Sequence, residues 1–185
     1  MAADGGARVA LDLGLVPEAV IGDFDSLPEI ATERLMPETL FHVREQDSTD
    51  FEKCLSRIRS PLIFALGFTG GRIDHQLSVM NVLARFPSVR CLVLGSDDIV
   101  FHAPRALQLD LAVGSRLSLF PLAQVTGRSR GLEWPIDGIS FTPGGRVGTS
   151  NRVAGPVALE FDGDGMLVLT PREALAAVLH ALRRD

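Results

Sequence analysis

The residues with the greatest chemical potential in this chain are aspartates. They recur in three short segments: Ile21-Gly22-Asp23-Phe24-Asp25-Ser26, Gln46-Asp47-Ser48-Thr49-Asp50-Phe51 and Gly70-Gly71-Arg72-Ile73-Asp74-His75. Carboxylates gathered in one place repel each other and resist desolvation unless a cation neutralises them. Hard oxygen donors of this kind suit Mg²⁺. Glycines and an arginine beside such a cation suit phosphate groups. The segments together point to metal-assisted chemistry on a phosphorylated substrate.

Each segment also has a plainer reading. Asp23 and Asp25 lie two apart after an apolar run, so in extended geometry both face one side; a polar turn would serve the same residues. Asp47 reads as a partner for a helix dipole. Asp50 reads either as a cap or as a metal ligand. Gly67 to Arg72 links a strand to a helix, where Gly70 and Gly71 would let a phosphate approach the backbone and Arg72 would fork onto its oxygens. Asp74 follows in the first helical turn, and His75 reads as structural. Gly144 to Asn151 reads as a flexible hairpin. Trp134, the only tryptophan, is either core or a stacking platform.

The elements that must position these residues change character along the chain. Strands are expected at Ala19–Gly22, Phe41–Val43, Leu62–Leu66 and Val89–Leu94. Helices are expected at Pro28–Leu35, after a Ser48 or Thr49 cap with the stripe Phe51, Cys54, Leu55 and Ile58, and along Ile73, Leu77, Met80 and Leu83. Strand, loop, helix, strand in this order implies a mainly parallel sheet with ligands at the carboxyl ends of its strands. After Ser96 the runs become short and β-like, at Ile99–His102, Ala106–Leu111, Arg116–Leu122, Ile139–Phe141, Val157–Phe161 and Met166–Leu169. Gly, Pro and Asp separate them, as in a β-sandwich or barrel. Pro171–Arg184 reads as a closing helix. The expected architecture is an α/β N-terminal domain over residues 1–97 and an all-β sandwich over 98–185.

Bulk properties narrow the function classes. A net charge of −5 and a pI near 5.4 argue against nucleic-acid binding. No apolar run approaches the roughly 20 residues of a membrane span. Met1-Ala2-Ala3-Asp4 lacks the basic and apolar regions of a secretory signal. Cys54 and Cys91 have no metal-ligand spacing and read as buried, reduced thiols of a cytoplasmic protein. Lys53 is the sole lysine, and no G-x-x-x-x-G-K-[ST] segment is present, so phosphate recognition must rely on arginine, backbone N–H groups and metal.

Six segments occurring in order resemble the thiamine pyrophosphokinase family: Ala3-Asp4-Gly5-Gly6-Ala7, Gly22-Asp23-Phe24-Asp25-Ser26, Gln46 to Phe51, Gly70 to His75, Gly131-Leu132-Glu133-Trp134 and Thr149-Ser150-Asn151. The resemblance implies a homodimer with active sites at the subunit interface. It implies transfer of a pyrophosphoryl group from ATP to thiamine, giving thiamine diphosphate and AMP. By motif, it implies that Asp23, Asp25 and Asp50 hold Mg²⁺, with Asp4 and Asp74 nearby. Asp4, Gly70, Gly71 and Arg72 would serve the ATP phosphates, and Gln46, Trp134, Ser150 and Asn151 would serve thiamine. The family pattern also leads one to expect a strand before Ala3-Asp4-Gly5-Gly6, a lysine where Glu133 stands, and no closing helix. Two rivals accompany this reading. A haloacid-dehalogenase-type phosphatase shares the strand-then-Asp23-x-Asp25 pattern but needs a nearby lysine, and Lys53 is expected on a helix with an apolar stripe. A non-catalytic thiamine- or nucleotide-binding module is the other.

Overall fold

Runs of three to six apolar residues bounded by Gly, Asp and Pro are too short for helices and long enough for strands. The computed structural model, which describes residues 1–27 and 33–183, is accordingly mostly β. It divides into two units, Met1–Ser60 and Pro61–Asp185.

The first unit is built on a three-stranded parallel sheet of β1 (Ala2–Ala3), β2 (Val20–Gly22) and β3 (Leu40–His42), in that order. Parallel neighbours require a crossover. Between β1 and β2 it is α1 (Gly6–Asp12), whose Ala7 and Leu11 pack with Ala2, Val20 and Leu35. This helix escapes a periodicity reading because Val9 and Leu13 on its other face are exposed. Residues 28–32 of the expected helix at Pro28–Leu35 lie outside the described residues, and Glu33–Arg34 form a turn. α2 (Asp50–Leu55) starts as expected: the Thr49 hydroxyl accepts a bond from the Glu52 amide at 3.5 Å.

The second unit begins with β4 (Ile63–Leu66), α3 (Ile73–Arg85) and β5 (Cys91–Leu94), with β4 and β5 paired in parallel. The strands β6 (Asp98–His102), β7 (Ala106–Leu109), β8 (Arg116–Pro121), β9 (Val125–Leu132), β10 (Ser140–Phe141), β11 (Gly148–Phe161) and β12 (Met166–Pro171) follow. Together they make one mixed sheet of nine strands in the order β10-β9-β11-β8-β12-β6-β5-β4, with β7 also on β11. The domain boundary expected at 97/98 falls in the turn between β5 and β6, which are antiparallel neighbours. The apolar stripe expected on α3 is corrected. Ile73 and Leu77 are exposed; of the expected stripe Leu83 is buried, and Val79 and Val82 are buried with it. The sheet meets the helix on the face nearer its C-terminal half, so the first turn is left free. The closing helix α4 (Leu175–Leu182) sends Val178 and Leu182 into the core of the second unit and packs on β7.

Of the expected flexible hairpin at Gly144–Asn151, residues 144–147 form a turn and residues 148–151 are the start of β11, a strand of 14 residues. Its first part pairs with β8, and its last part pairs with both β9 and β7. Gly155 and Pro156 mark the change of partners. Proline cannot donate to a ladder, and the β9 register is interrupted between Val153 and Ala158. β9 went unread in the sequence because Gly127, Ser129 and Gly131 dilute its alternation. Gly131 faces the bulge at φ +74°, and a Cβ there would sit 2.2 Å from the Pro156 carbonyl oxygen. Only a residue lacking Cβ relieves both conflicts. Gly131→Ala is expected to lower stability by about 2–4 kcal/mol from strain plus overlap, seen as a reduced midpoint in urea unfolding.

Candidate active site

The aspartates of the first unit collect at the carboxyl ends of parallel strands. Asp4 follows β1 and its amide donates to the Ile21 carbonyl at 2.9 Å. Asp23 follows β2, the strand paired beside β1. Gly22 makes this approach possible, since a Cβ on it would lie 2.7 Å from the Asp4 Cβ. One oxygen from each of Asp4, Asp23 and Asp25 falls within 4.8 Å of the others.

The carboxylates of Asp23 and Asp25 do not converge through an extended backbone, which corrects the sequence expectation. Phe24 between them adopts φ +67°, and the Asp25 amide donates to Asp23 Oδ1 at 3.2 Å, forming a turn closed by a side chain. The Phe24 ring stacks on His42 with centroids 5.1 Å apart, a packing contact that holds the unusual residue in place. Asp4 is also left-handed, at φ +38°. Backbone strain at one member of the cluster, and at the residue between the other two, marks a site where the fold holds side chains for a purpose other than packing.

Each carboxylate has its own support. The Ser26 amide donates to Asp4 Oδ2 at 3.2 Å, and the Ser26 hydroxyl donates to Asp25 Oδ1 at 2.8 Å. Gln46 Nε2 donates to Asp23 Oδ2 at 2.8 Å. That bond, joined by the Asp25 amide and the Lys53 charge, holds the Asp23 carboxyl below its ordinary range. Asp4 is pushed the other way, first by burial and then by the charges of Asp50 and Asp25. Its Oδ1 is buried with no hydrogen-bond partner. Asp50 is also raised, by burial, against the pull of Lys53.

Lys53 joins the acidic cluster, although its residue type and spacing place it only on the helix that carries the Phe51, Cys54, Leu55 and Ile58 stripe. It is a buried lysine, 2% exposed, whose Nζ lies 3.4 Å from Asp50 Oδ1 and 3.8 Å from Asp23 Oδ2. Its spacing from Asp50, one helical turn along, was the available signal. A buried ammonium between two carboxylates limits their mutual repulsion.

The donor set fits a small hard cation. It offers only carboxylate oxygens, one of them buried and unpartnered, and like charges that need neutralising. The thiols do not fit such a role: burial raises Cys54 to about 11 and Cys91 to about 12.

In the second unit, Gly70 takes φ +86° ahead of α3. Arg72 grips Asp74 with two bonds, Nε to Oδ1 at 3.1 Å and Nη2 to Oδ2 at 2.6 Å, and both residues are exposed. A cavity of about 510 Å³ opens beside them, lined by Thr69, Gly70, Ile73, Leu77, Asp97 and Phe120 among others. Trp134, Ser150 and Asn151 form a separate group. Asn151 Nδ2 donates to the Trp134 carbonyl at 2.6 Å, and the Trp134 amide donates to Asn151 Oδ1 at 3.2 Å. Both ends of the amide are thus committed to the tryptophan backbone. Ser150, at φ +61°, donates its amide to the Ser118 hydroxyl at 3.0 Å.

Comparison with known proteins adds an independent line. Residues 1–93 match the family model described as thiamin pyrophosphokinase, catalytic domain, and residues 102–165 match that described as its vitamin B1 binding domain. Thiamine pyrophosphokinase 3 of Oryza sativa subsp. japonica is 33% identical over 156 residues, covering 74% of this chain and 58% of its own length. The chain therefore spans less than two thirds of that plant relative. Thiamine pyrophosphokinase of Bacillus subtilis is 25% identical over 162 residues, covering 81% of this chain and 76% of its own. The solved thiamin pyrophosphokinase from Candida albicans superposes with a TM-score of 0.77 over 91% of this chain and 79% of that one, at 18% identity. At that identity the superposition shows the fold.

Two stability measurements test the site electrostatics. A carboxyl whose pKa is higher folded than unfolded binds its proton more tightly in the folded state, so stability falls as pH rises through the window between the two values. Asp4 is such a group. Asp4→Asn is expected to be more stable than wild type at pH 7 in the presence of a chelator, and the two urea midpoints should converge below the ordinary carboxylate range, near about pH 3. Lys53→Met leaves Asp23 and Asp50 facing each other across a buried gap. It should lose about 1–3 kcal/mol at pH 7, read by the same unfolding curves.

Proposed function

The chain belongs to the thiamin pyrophosphokinase family, and on that premise we propose that it transfers the pyrophosphoryl group of ATP to thiamine, giving thiamine diphosphate and AMP. The observation that carries the reading is the Asp4, Asp23 and Asp25 cluster, which lies within the residues matched to the catalytic model. A module that only bound thiamine would have no use for repelling carboxylates held by strained backbone.

Asp4, Asp23 and Asp25 would hold Mg²⁺, with Asp50 completing the acidic set beside Lys53. Once bound, the ion would neutralise polyphosphate charge and help align the reacting phosphorus. Gln46, through its bond to Asp23, positions a carboxylate and can also meet the substrate. Ser26 orients Asp4 and Asp25. Gly70, Gly71 and Arg72 would receive phosphate oxygens, with Asp74 keeping the guanidinium oriented until they arrive. The adjacent cavity has the volume of a small-molecule site. Trp134 supplies an aromatic face for thiamine, Asn151 holds the Trp134 backbone, and Ser150, tied to Ser118, completes the thiamine-binding set. In the transfer, the hydroxyethyl oxygen of thiamine attacks the β-phosphorus, the bond from that phosphorus to the α–β bridging oxygen breaks, and AMP departs. The hydroxyl proton leaves to solvent. A loose transition state asks more of positioning than of a base.

The finer architecture follows the same reading: an α/β catalytic module over 1–97 and a β-sandwich thiamine-binding module over 98–185. The two matched ranges, 1–93 and 102–165, fall on either side of that boundary. A homodimer with active sites at the subunit interface is part of the proposal, since exposed Phe64, Leu66 and Leu77 leave apolar surface for a second copy to cover. So is a cytoplasmic location, in keeping with two free, buried cysteines. Among the described residues no helix is long and apolar enough to cross a membrane. Lys53 beside Asp23 is the one observation that favours the phosphatase rival.

A coupled assay with ATP, Mg²⁺ and thiamine decides among these. AMP is expected one-for-one with thiamine diphosphate, abolished by chelator and reduced at least about 10²-fold in Asp23→Asn. Phosphate release without thiamine would carry the phosphatase reading instead, and thiamine binding without turnover would carry the binding module.

A further inference from the structure

Trp134 is the only tryptophan of a chain without tyrosine, and the residue is 52% exposed. One face of that ring is already in use. The Arg152 guanidinium carbon lies 5.9 Å from the ring centroid, and Arg152 Nη1 lies 3.2 Å from Glu133 Oε2. The arrangement follows from strand pairing. Val153 is opposite Leu132, and the Glu133 amide donates to the Arg152 carbonyl at 2.8 Å. Glu133-Trp134 and Asn151-Arg152 therefore run side by side. Asn151 clamps the tryptophan backbone while Arg152 covers its ring.

An indole attracts cations through the negative potential of its faces. Thiamine carries a permanent positive charge on its thiazolium ring. A second cation on the covered face must displace Arg152, and one on the opposite face is repelled by it. Arg152 and Glu133 are both substantially exposed, and contacts of this kind are weak enough to exchange.

We propose that Arg152 is a displaceable cover on Trp134, a specificity-determining residue that a cationic heterocycle must move aside. The guanidinium withdraws onto the Glu133 carboxylate it already touches, and the indole is released to the substrate. The cover opposes any ring that stacks on that face, and opposes a charged one more, because the guanidinium also repels its charge. Glu133 is integral to it, because a lysine at that position would repel Arg152 and leave the displaced guanidinium with no acceptor. The inference rests on the reading of Trp134 as a thiamine contact.

Removing the cover should tighten binding, the opposite of what loss of a structural residue would do. The test uses the full chain, titrated with thiamine and separately with its neutral aminopyrimidine fragment. Trp134 emission and calorimetry are the two readouts. Arg152→Gln is expected to bind thiamine roughly two- to fivefold tighter, the worth of an exposed cation–π contact expressed as an affinity ratio. Its affinity for the neutral fragment should rise less than its affinity for thiamine. Arg152→Lys, which keeps the charge, should stay close to wild type for both. Unchanged or weaker thiamine binding by a folded Arg152→Gln would overturn the cover while leaving Trp134 as a thiamine contact. No heat of binding and no change in Trp134 emission with wild type would overturn that contact and the cover together.

Discussion

Mutual repulsion among carboxylates is the constraint around which the first unit is arranged. Asp4, Asp23 and Asp25 are brought together at the carboxyl ends of adjacent parallel strands, and Asp50 adds its charge from the start of α2. The fold answers with dedicated partners for several of these oxygens: the Ser26 amide and hydroxyl, the Gln46 amide, the Asp25 amide and the Lys53 ammonium. Asp4 Oδ1 is both buried and unpartnered. A cluster supported in this way but left one cation short is preorganised for a metal ion.

The backbone carries part of the same burden. Asp4 and Phe24 sit in the left-handed region, and Gly22 is there so that Asp4 can lie against β2. Such conformations persist only where surrounding contacts overdetermine them. The core of Ala2, Ala7, Leu11, Val20 and Leu35, with Phe24 packed against it, does so. Packing on one side of the short sheet is converted into carboxylate geometry at its end.

The second unit solves a different problem by similar means. A single long strand, β11, must serve two sets of neighbours, and the Gly155-Pro156 bulge opposite Gly131 lets it turn between them. The residues next to that bulge, Asn151 and Arg152, are the ones that hold and cover Trp134. An irregularity in the sheet thus aims an aromatic ring, as bulges beside functional sites do.

What was legible in the sequence was what local physics controls. The strand-helix alternation of the first hundred residues, the Thr49 cap, the buried Cys54 and Cys91 and the Gly, Pro and Asp breaks between the later strands all follow from periodicity and propensity within a few residues. The acidic segments, read in order, also carried the family. Features set by contacts between distant segments were not legible. Lys53 lies on a helix with an apolar stripe, and nothing local shows that Asp23, thirty positions earlier, sits 3.8 Å from it. Ile73 and Leu77 looked buried because a helical stripe shows that a face is apolar without showing which face the sheet will meet. β9 was hidden by glycines that exist to accommodate its neighbour. Residue type and spacing determined the chemistry this chain can perform. Only the tertiary structure decided which charges meet, because electrostatic energy depends on separation in space and burial, and neither is written in the spacing along the chain.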